Sequence, residues 1–296
     1  MRTGEITMIF QQVINGLTLG TTYSLLALGY SMIFGVLSFI NFAHGDIAMV
    51  GAYVAWYCFV GLRRGFIPSC LLAMLACAVL GVTMEKVGYM PIRRAPRLAA
   101  VIASLGFSFI LATGVQVIWG TQPQQMPPVI DAVTYRVLGV TFNSIQMGVV
   151  VLSIVIMGLL QLLIHRTKVG MALRATAIDR DTAGLMGINI NNIISFTFAL
   201  GSVLAAISGI MVAVYYGALY PSMGGVIGTK GFTAVVLGGA GSIPGAMVGG
   251  ILMGLIESLA GTFMPSEVRD AVAFLVLILV LLIKPSGLFG REMVKE

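Results

Sequence analysis

Long apolar runs alternate with short polar breaks along the chain, and within each run the apolar residues are continuous. That pattern predicts helices, because the strands of a membrane barrel would alternate apolar and polar positions over segments of about ten residues. The first run covers residues 8–37, and Gln11, Gln12 and Asn15 make its beginning polar. It reads as a helix at the membrane interface followed by a span from about Thr21. A polar break, Asn41-Phe42-Ala43-His44-Gly45-Asp46, precedes a second run at 47–60. Others follow at 67–87, 98–119 and 143–164, with a Pro- and Gln-rich stretch at 120–141 that reads as an ordered external loop. Beyond the polar stretch 165–192 come runs at 193–216, 226–239, 246–263 and 268–283. The 226–239 and 246–263 runs form a hairpin around Gly241-Ser242-Ile243-Pro244-Gly245. The expected fold is all-α and polytopic, with about eight transmembrane helices (range eight to ten), some interrupted or re-entrant. Residues 1–296 are expected to form one membrane domain, with 165–192 as a polar loop inside it.

Composition agrees. Hydrophobic residues make up 58% of the 296 and charged residues 9%, where a soluble domain carries about 25%. Mean hydropathy is +1.00. A net charge of +6 could suggest a nucleic-acid partner, but the basic residues cluster between apolar runs, as the positive-inside bias places them. One threading puts ten on one side: Arg93, Arg94, Arg97, Arg166, Lys168, Arg174, Arg180, Lys284, Arg291 and Lys295. Only Arg63, Arg64, Arg136 and Arg269 face the other way. The first side is therefore cytoplasmic, as is the C-terminus, while the side of the N-terminus stays open. Cys58, Cys70 and Cys77 are odd in number and lack metal-ligand spacing, so they read as packing residues. The start has neither a basic region nor a small-x-small cleavage site, which argues against a removed signal peptide.

Several features could carry function. The breaks at 41–46 and 239–245 echo each other, both polar, glycine-containing and on the cytoplasmic side, as in transporters built from repeats with interrupted helices. Gly241, Gly245 and Gly249 recur every four residues, as do Gly250 and Gly254, which suits close helix packing or a face that rocks during gating. In 169–189, Met171, Ala175, Ile178 and Leu185 can share a helical face, while Arg174, Asp179 and Asp181 lie off it. Gly184 and Gly187 can end or bend that helix. The segment fits either an interfacial helix or a docking element for a cytoplasmic partner. Lys230 and Glu257 are ionisable residues inside apolar runs, which marks them as functional candidates. They lie roughly 16 and 18 Å from the intervening turn at helical rise, so on antiparallel arms they either pair or snorkel separately outward. His44 and Asp46 have no third ligand or nucleophile, so no metal site or catalysis is expected. His44 should instead hydrogen-bond a helix end, and Asp46 should cap the helix that follows.

Four stretches carry a family resemblance. They are Val36-Leu37-Ser38-Phe39-Ile40-Asn41-Phe42-Ala43-His44-Gly45-Asp46 with Met49-Val50-Gly51-Ala52; the 169–189 loop ending Gly187-Ile188-Asn189; Phe232-Thr233-Ala234-Val235-Val236-Leu237-Gly238-Gly239-Ala240-Gly241-Ser242-Ile243-Pro244-Gly245-Ala246; and Lys284-Pro285-Ser286-Gly287-Leu288-Phe289-Gly290. In this order the chain resembles the bacterial ABC-importer permeases of the branched-chain amino acid (LivH-like) type. The resemblance implies a multi-pass protein of the bacterial inner membrane, partnered by a second related permease, two cytoplasmic ATPase subunits and a periplasmic substrate-binding protein. It also implies that residues 174–187 are the ATPase-coupling helix, with Arg174, Ala177, Asp179, Ala183, Gly184, Met186 and Gly187 as its residues. No G-x-x-x-x-G-K-[ST] phosphate loop occurs, so ATP hydrolysis is expected on the partners and no cofactor on this chain. The substrate would be a branched-chain or other neutral amino acid, and no residue decides between these and the amides or urea of relatives. A zwitterion suits small polar groups and helix ends, which nominates Asn41, Ser104, Thr113 and Asn143 for the pathway beside His44, Asp46, Lys230 and Glu257. The alternative is a stand-alone secondary transporter or channel for a small polar solute, for which Glu257 is the sole intramembrane carboxylate candidate.

Overall fold

The computed structural model describes residues 2–93, 95–130, 133–137, 140–263 and 269–290. Arg94, Arg291 and Lys295, three of the ten clustered basic residues, lie outside the described residues, as does the start of the last apolar run.

The chain begins with α1 (Arg2–Leu37), a single uninterrupted helix. This corrects the expected division into an interfacial helix and a separate span. No proline interrupts it, and its polar first half has partners. Gln11 Nε2 donates to the Thr141 carbonyl at 2.7 Å, and the Thr141 N–H donates back to Gln11 Oε1 at 2.9 Å. Gln146 Nε2 donates to Asn15 Oδ1 at 3.1 Å, and Ser258 Oγ to the Gln12 carbonyl at 2.8 Å. Paired polar groups can continue a helix beside neighbouring segments where unpaired ones would end it.

Next come α2 (His44–Trp56), α3 (Phe66–Met84) and α4 (Arg97–Trp119). The first two of these end in widened turns, closed by Leu62 N–H to the Tyr57 carbonyl (3.0 Å) and Met90 N–H to the Glu85 carbonyl (2.7 Å). The expected loop at 120–141 holds β1 (Gln124–Gln125) and most of the hairpin of β2 (Thr134–Val137) and β3 (Val140–Asn143), which pairs in register Thr134↔Asn143 and runs two residues past the loop. α5 (Ser144–Arg166), α6 (Lys168–Ile178), α7 (Arg180–Leu185) and α8 (Ile190–Tyr216) follow. β4 (Ala218–Leu219) pairs antiparallel with β1, and α9 (Met223–Gly238), α10 (Ile243–Phe263) and α11 (Arg269–Ile283) complete the order.

Among the described residues six helices are long and apolar enough to cross a bilayer, and 223–238 and 271–283 are shorter apolar helices. The all-α polytopic expectation is borne out. α1 and α8 form the centre: 89% of the apolar window of α1 is buried, against 17% for α4 at the periphery. Glycine makes that centre possible. A Cβ at Gly254 would lie 2.2 Å from the Gly20 nitrogen, and one at Gly250 2.3 Å from the Ser24 nitrogen, so α1 and α10 touch backbone to backbone. Gly249 and Gly245 serve the other seam, where a Cβ would lie 2.1 Å from the Ala234 carbonyl oxygen and 2.4 Å from that of Gly238.

Two contacts orient the bundle. Arg180 Nε donates to the Val36 carbonyl at 2.8 Å, which ties the 165–192 segment to the end of α1. Gln11 ties the start of α1 to β3, so the N-terminus lies at the opposite end of the protein. At the α9–α10 turn Gly239 and Gly241 take φ of +107° and +83°, and Leu288 N–H donates to the Leu237 carbonyl at 2.9 Å. The 284–290 stretch is thereby folded against the turn, at the same end as Leu37.

Candidate functional site

The pathway candidates do not converge on one point. Asn41 organises the first break: its Oδ1 accepts from the Ala43 N–H at 3.2 Å and from the Tyr89 hydroxyl at 2.8 Å. The chain then turns back into the protein, and His44 packs against Gly29, eight residues or roughly 12 Å before the end of α1. Its imidazole lies 4.5 Å from the Tyr30 ring, against an internal turn of α1 and not a helix end, which corrects the role expected for it. Asp46 does not cap α2 either. The helix already starts at His44 with Ala43 at its N-cap, and no side-chain cap bond forms. Asp46 Oδ2 instead accepts from Ser108 Oγ at 2.5 Å, joining α2 to α4, while its charge still favours the helix start. Gly45 lets this turn meet α9, where a Cβ would fall 2.3 Å from the Gly224 carbonyl oxygen.

Ser104, one helical turn before Ser108, is buried and donates to the Val101 carbonyl at 2.6 Å. Thr113 is exposed on α4 beside Phe109 and Val117, away from the buried groups. Asn143 is occupied as the N-cap of α5: its side chain accepts from the Gln146 N–H while the Gln146 side chain accepts from the Asn143 N–H. Neither Thr113 nor Asn143 joins the other candidates, because each faces outward or caps a helix end.

Lys230 and Glu257 pair. Nζ lies 2.6 Å from Oε1, with the side chains 8% and 5% exposed, and Nζ is 5.9 Å from the centre of the Tyr23 ring. α9 and α10 are the antiparallel arms that bring the two to one depth.

The 165–192 segment is two helices. Thr167 caps α6 by accepting from the Gly170 N–H at 3.1 Å. The Arg174 guanidinium donates to the Ile164 carbonyl, folding α6 back on the end of α5. Asp179 separates the helices and caps α7, accepting from the Asp181 and Thr182 N–H groups at 2.9 and 3.2 Å. Ala183 is buried, Gly187 ends the unit at φ +86°, and Ile188 N–H donates to the Ala183 carbonyl at 3.1 Å. Ile178, Leu185 and Met186 are 82%, 88% and 80% exposed, three outward apolar side chains of the α6–α7 unit.

The Thr182 hydroxyl and backbone hold the Asp179 carboxyl below its usual range. A depressed carboxylate stabilises its fold above the ordinary value of about 3.9 and loses that contribution as pH falls through the lower folded value. Hydrogen-exchange protection at Asp181 and Thr182 should therefore be flat from neutral pH to about pH 4 and fall below it. Asp179→Ala should lower protection at neutral pH and abolish the acid dependence; an unchanged acid step in that variant would refute the assignment.

One polar cluster was missed in the sequence. Glu85, fully buried after α3, pairs with Arg93, accepts from Ser195 Oγ at 2.7 Å, and so joins α3 to α8; Arg93 also donates to Asn191. The available signal was an acidic residue at the end of an apolar run, eight before an arginine. Glu85→Ala leaves a partly buried guanidinium without its counter-charge and removes the Ser195 acceptor, and should destabilise by about 3 kcal/mol. That is the lower end for a broken buried pair, because Arg93 is 19% exposed. A thermal midpoint in detergent equal to wild type would contradict this.

Residues 12–281 match the family described as branched-chain amino acid transport system / permease component. The chain belongs to this family. The permease is 38% identical to the high-affinity branched-chain amino acid transport system permease protein BraD of Pseudomonas aeruginosa, over 99% of both chains. It is 37% identical to the corresponding LivH protein of Escherichia coli, over 97% of both. The structure titled PsaBC from Streptococcus pneumoniae in complex with Fab superposes with a TM-score of 0.52 over 92% of the permease and 91% of that chain. At 16% identity this likeness concerns the fold alone. The permease is a multi-pass membrane protein, and its relatives are transport subunits.

Proposed function

We propose that this permease is the passive membrane half of an ATP-driven importer for branched-chain or other neutral amino acids. Membership in the family carries this reading, and the exposed apolar side chains Ile178, Leu185 and Met186 support its coupling part. A second related permease completes the pathway, and a periplasmic binding protein delivers the substrate at the N-terminal end of α1. Two ATPase subunits hydrolyse ATP at the cytoplasmic end, where 165–192 and the C-terminal stretch lie. Ile178, Leu185 and Met186 seat in the ATPase, with Arg174 and Asp179 holding the α6–α7 elbow rigid so that ATPase closure moves α5 and α8. Residues 1–296 act as one membrane domain in this scheme.

The test is leucine uptake by proteoliposomes holding the permease with its partner permease, ATPases and binding protein. Uptake should need ATP, both permeases and the binding protein. Uptake by this chain alone, driven by an ion gradient, would overturn the reading in favour of a secondary transporter.

A further inference from the structure

A cavity of about 420 Å³ opens between the end of α8, the start of α9 and the facing turns of α1 and α10. Tyr23, Tyr216, Tyr220 and Ile227 line it, and Lys230 and Glu257 stand together in its wall. Its size falls within the roughly 300–1,000 Å³ of small-molecule sites. Tyr216 is 56% exposed, so the cavity meets the surface at the end remote from 165–192, where a delivered solute would arrive. The ion pair is also incompletely matched. Glu257 Oε1 accepts from Lys230, but Oε2 is buried with no hydrogen-bond partner among the described residues. A buried pair is seldom a better anchor than an apolar contact of the same volume, since removing both charges from water consumes most of their attraction.

We propose that this cavity receives a zwitterionic amino acid and that Lys230 and Glu257 read its two charges. The substrate's ammonium donates to Glu257 Oε2, the buried oxygen without a partner among the described residues, once the carboxylate turns it toward the cavity. Its carboxylate accepts from the Lys230 ammonium, whose three donors can serve two carboxylates at once. The pair is neutral, so a zwitterion leaves no net charge in the cavity, whereas a simple amine or acid leaves one charge uncompensated. The tyrosine faces and Ile227 offer the apolar side chain a dry wall. This rests on the reading of the chain as an amino-acid permease.

The experiment uses the complete reconstituted complex with radiolabelled leucine, and reads leucine moved per ATP hydrolysed. Three variants are compared: Glu257→Gln; Lys230→Met with Glu257→Leu; and the reversal Lys230→Glu with Glu257→Lys. In each the ratio should fall about tenfold or more, the weight of one charge-assisted hydrogen bond. A merely anchoring pair would tolerate reversal or apolar replacement. A wild-type ratio in either double variant therefore overturns the proposal, and so does failure of all three variants to assemble. A wild-type complex that hydrolyses ATP with its binding protein yet moves neither leucine nor any other neutral amino acid sinks the amino-acid reading itself, and the proposal with it.

Discussion

Gly254→Val should abolish recovery of the folded permease. The added Cβ would sit 2.2 Å from the Gly20 nitrogen and 2.5 Å from the Gly16 carbonyl oxygen, and both obstacles are backbone. Side chains can rotate away from an intruder, but a helix backbone yields only by moving the whole helix. Here α1 is pinned on both flanks, by Ser24 Oγ to the Met247 carbonyl at 2.6 Å and by Ser208 Oγ to the Thr22 carbonyl at 2.9 Å. Overpacking a yielding core costs about 1–3 kcal/mol, and this site should exceed that range. Yield in detergent and thermal midpoint are the measurements. Gly158→Ala on α5 is the control, because its Cβ would meet nothing within 4 Å and alanine favours a helix by about 1 kcal/mol. A Gly254→Val protein with the wild-type midpoint would mean that α1 and α10 do not meet along this seam.

The second large effect concerns transport without loss of fold. Leu185→Asp combined with Met186→Asp should release the ATPase subunits and stop ATP-driven uptake. Both side chains are at least 80% exposed, so the change leaves the packing of the chain intact. In a complex the same side chains would be buried, and two carboxylates in an apolar seat carry a desolvation penalty with no partner. Loss of one interface hot spot of about 2 kcal/mol corresponds to roughly thirtyfold in affinity. Co-purification with the ATPases reads the effect, with the thermal midpoint of the isolated chain as its control. Retained co-purification would place the docking surface elsewhere than on α7.

These two sites differ in how far they could be read without a structure. The spacing of Gly250 and Gly254 marked a smooth helix face, yet nothing in the spacing named α1 as the helix it meets. The 165–192 segment was recognisable as too polar to span and too patterned for a linker. Its elbow at Asp179, and the outward face of Ile178 and Leu185, follow from how α6 folds back on α5. The Lys230–Glu257 pair was one of two open alternatives, and antiparallel packing of α9 and α10 chose it. Helix-cap rules are local and so point Asp46 to the start of α2, while its partner Ser108 is 62 residues away. Local polarity likewise predicts a break of α1 near Thr21, whereas Gln11, Gln12 and Asn15 find partners on β3, α5 and α10.

By itself the sequence determined the solvent this protein lives in, the all-α class, the position of its polar loop, and its family. Each of these depends on hydropathy over a run of residues or on motif order, both of which are properties of neighbours along the chain. The tertiary structure alone decided which glycines face which backbone, that the N-terminus and the 165–192 segment lie at opposite ends, and that Glu85 joins α3 to α8. It also decided that two lone charges share a cavity wall. Those outcomes depend on contacts between residues far apart in the chain, and inside a bundle such contacts are selected by backbone fit and by the need to match every buried polar group.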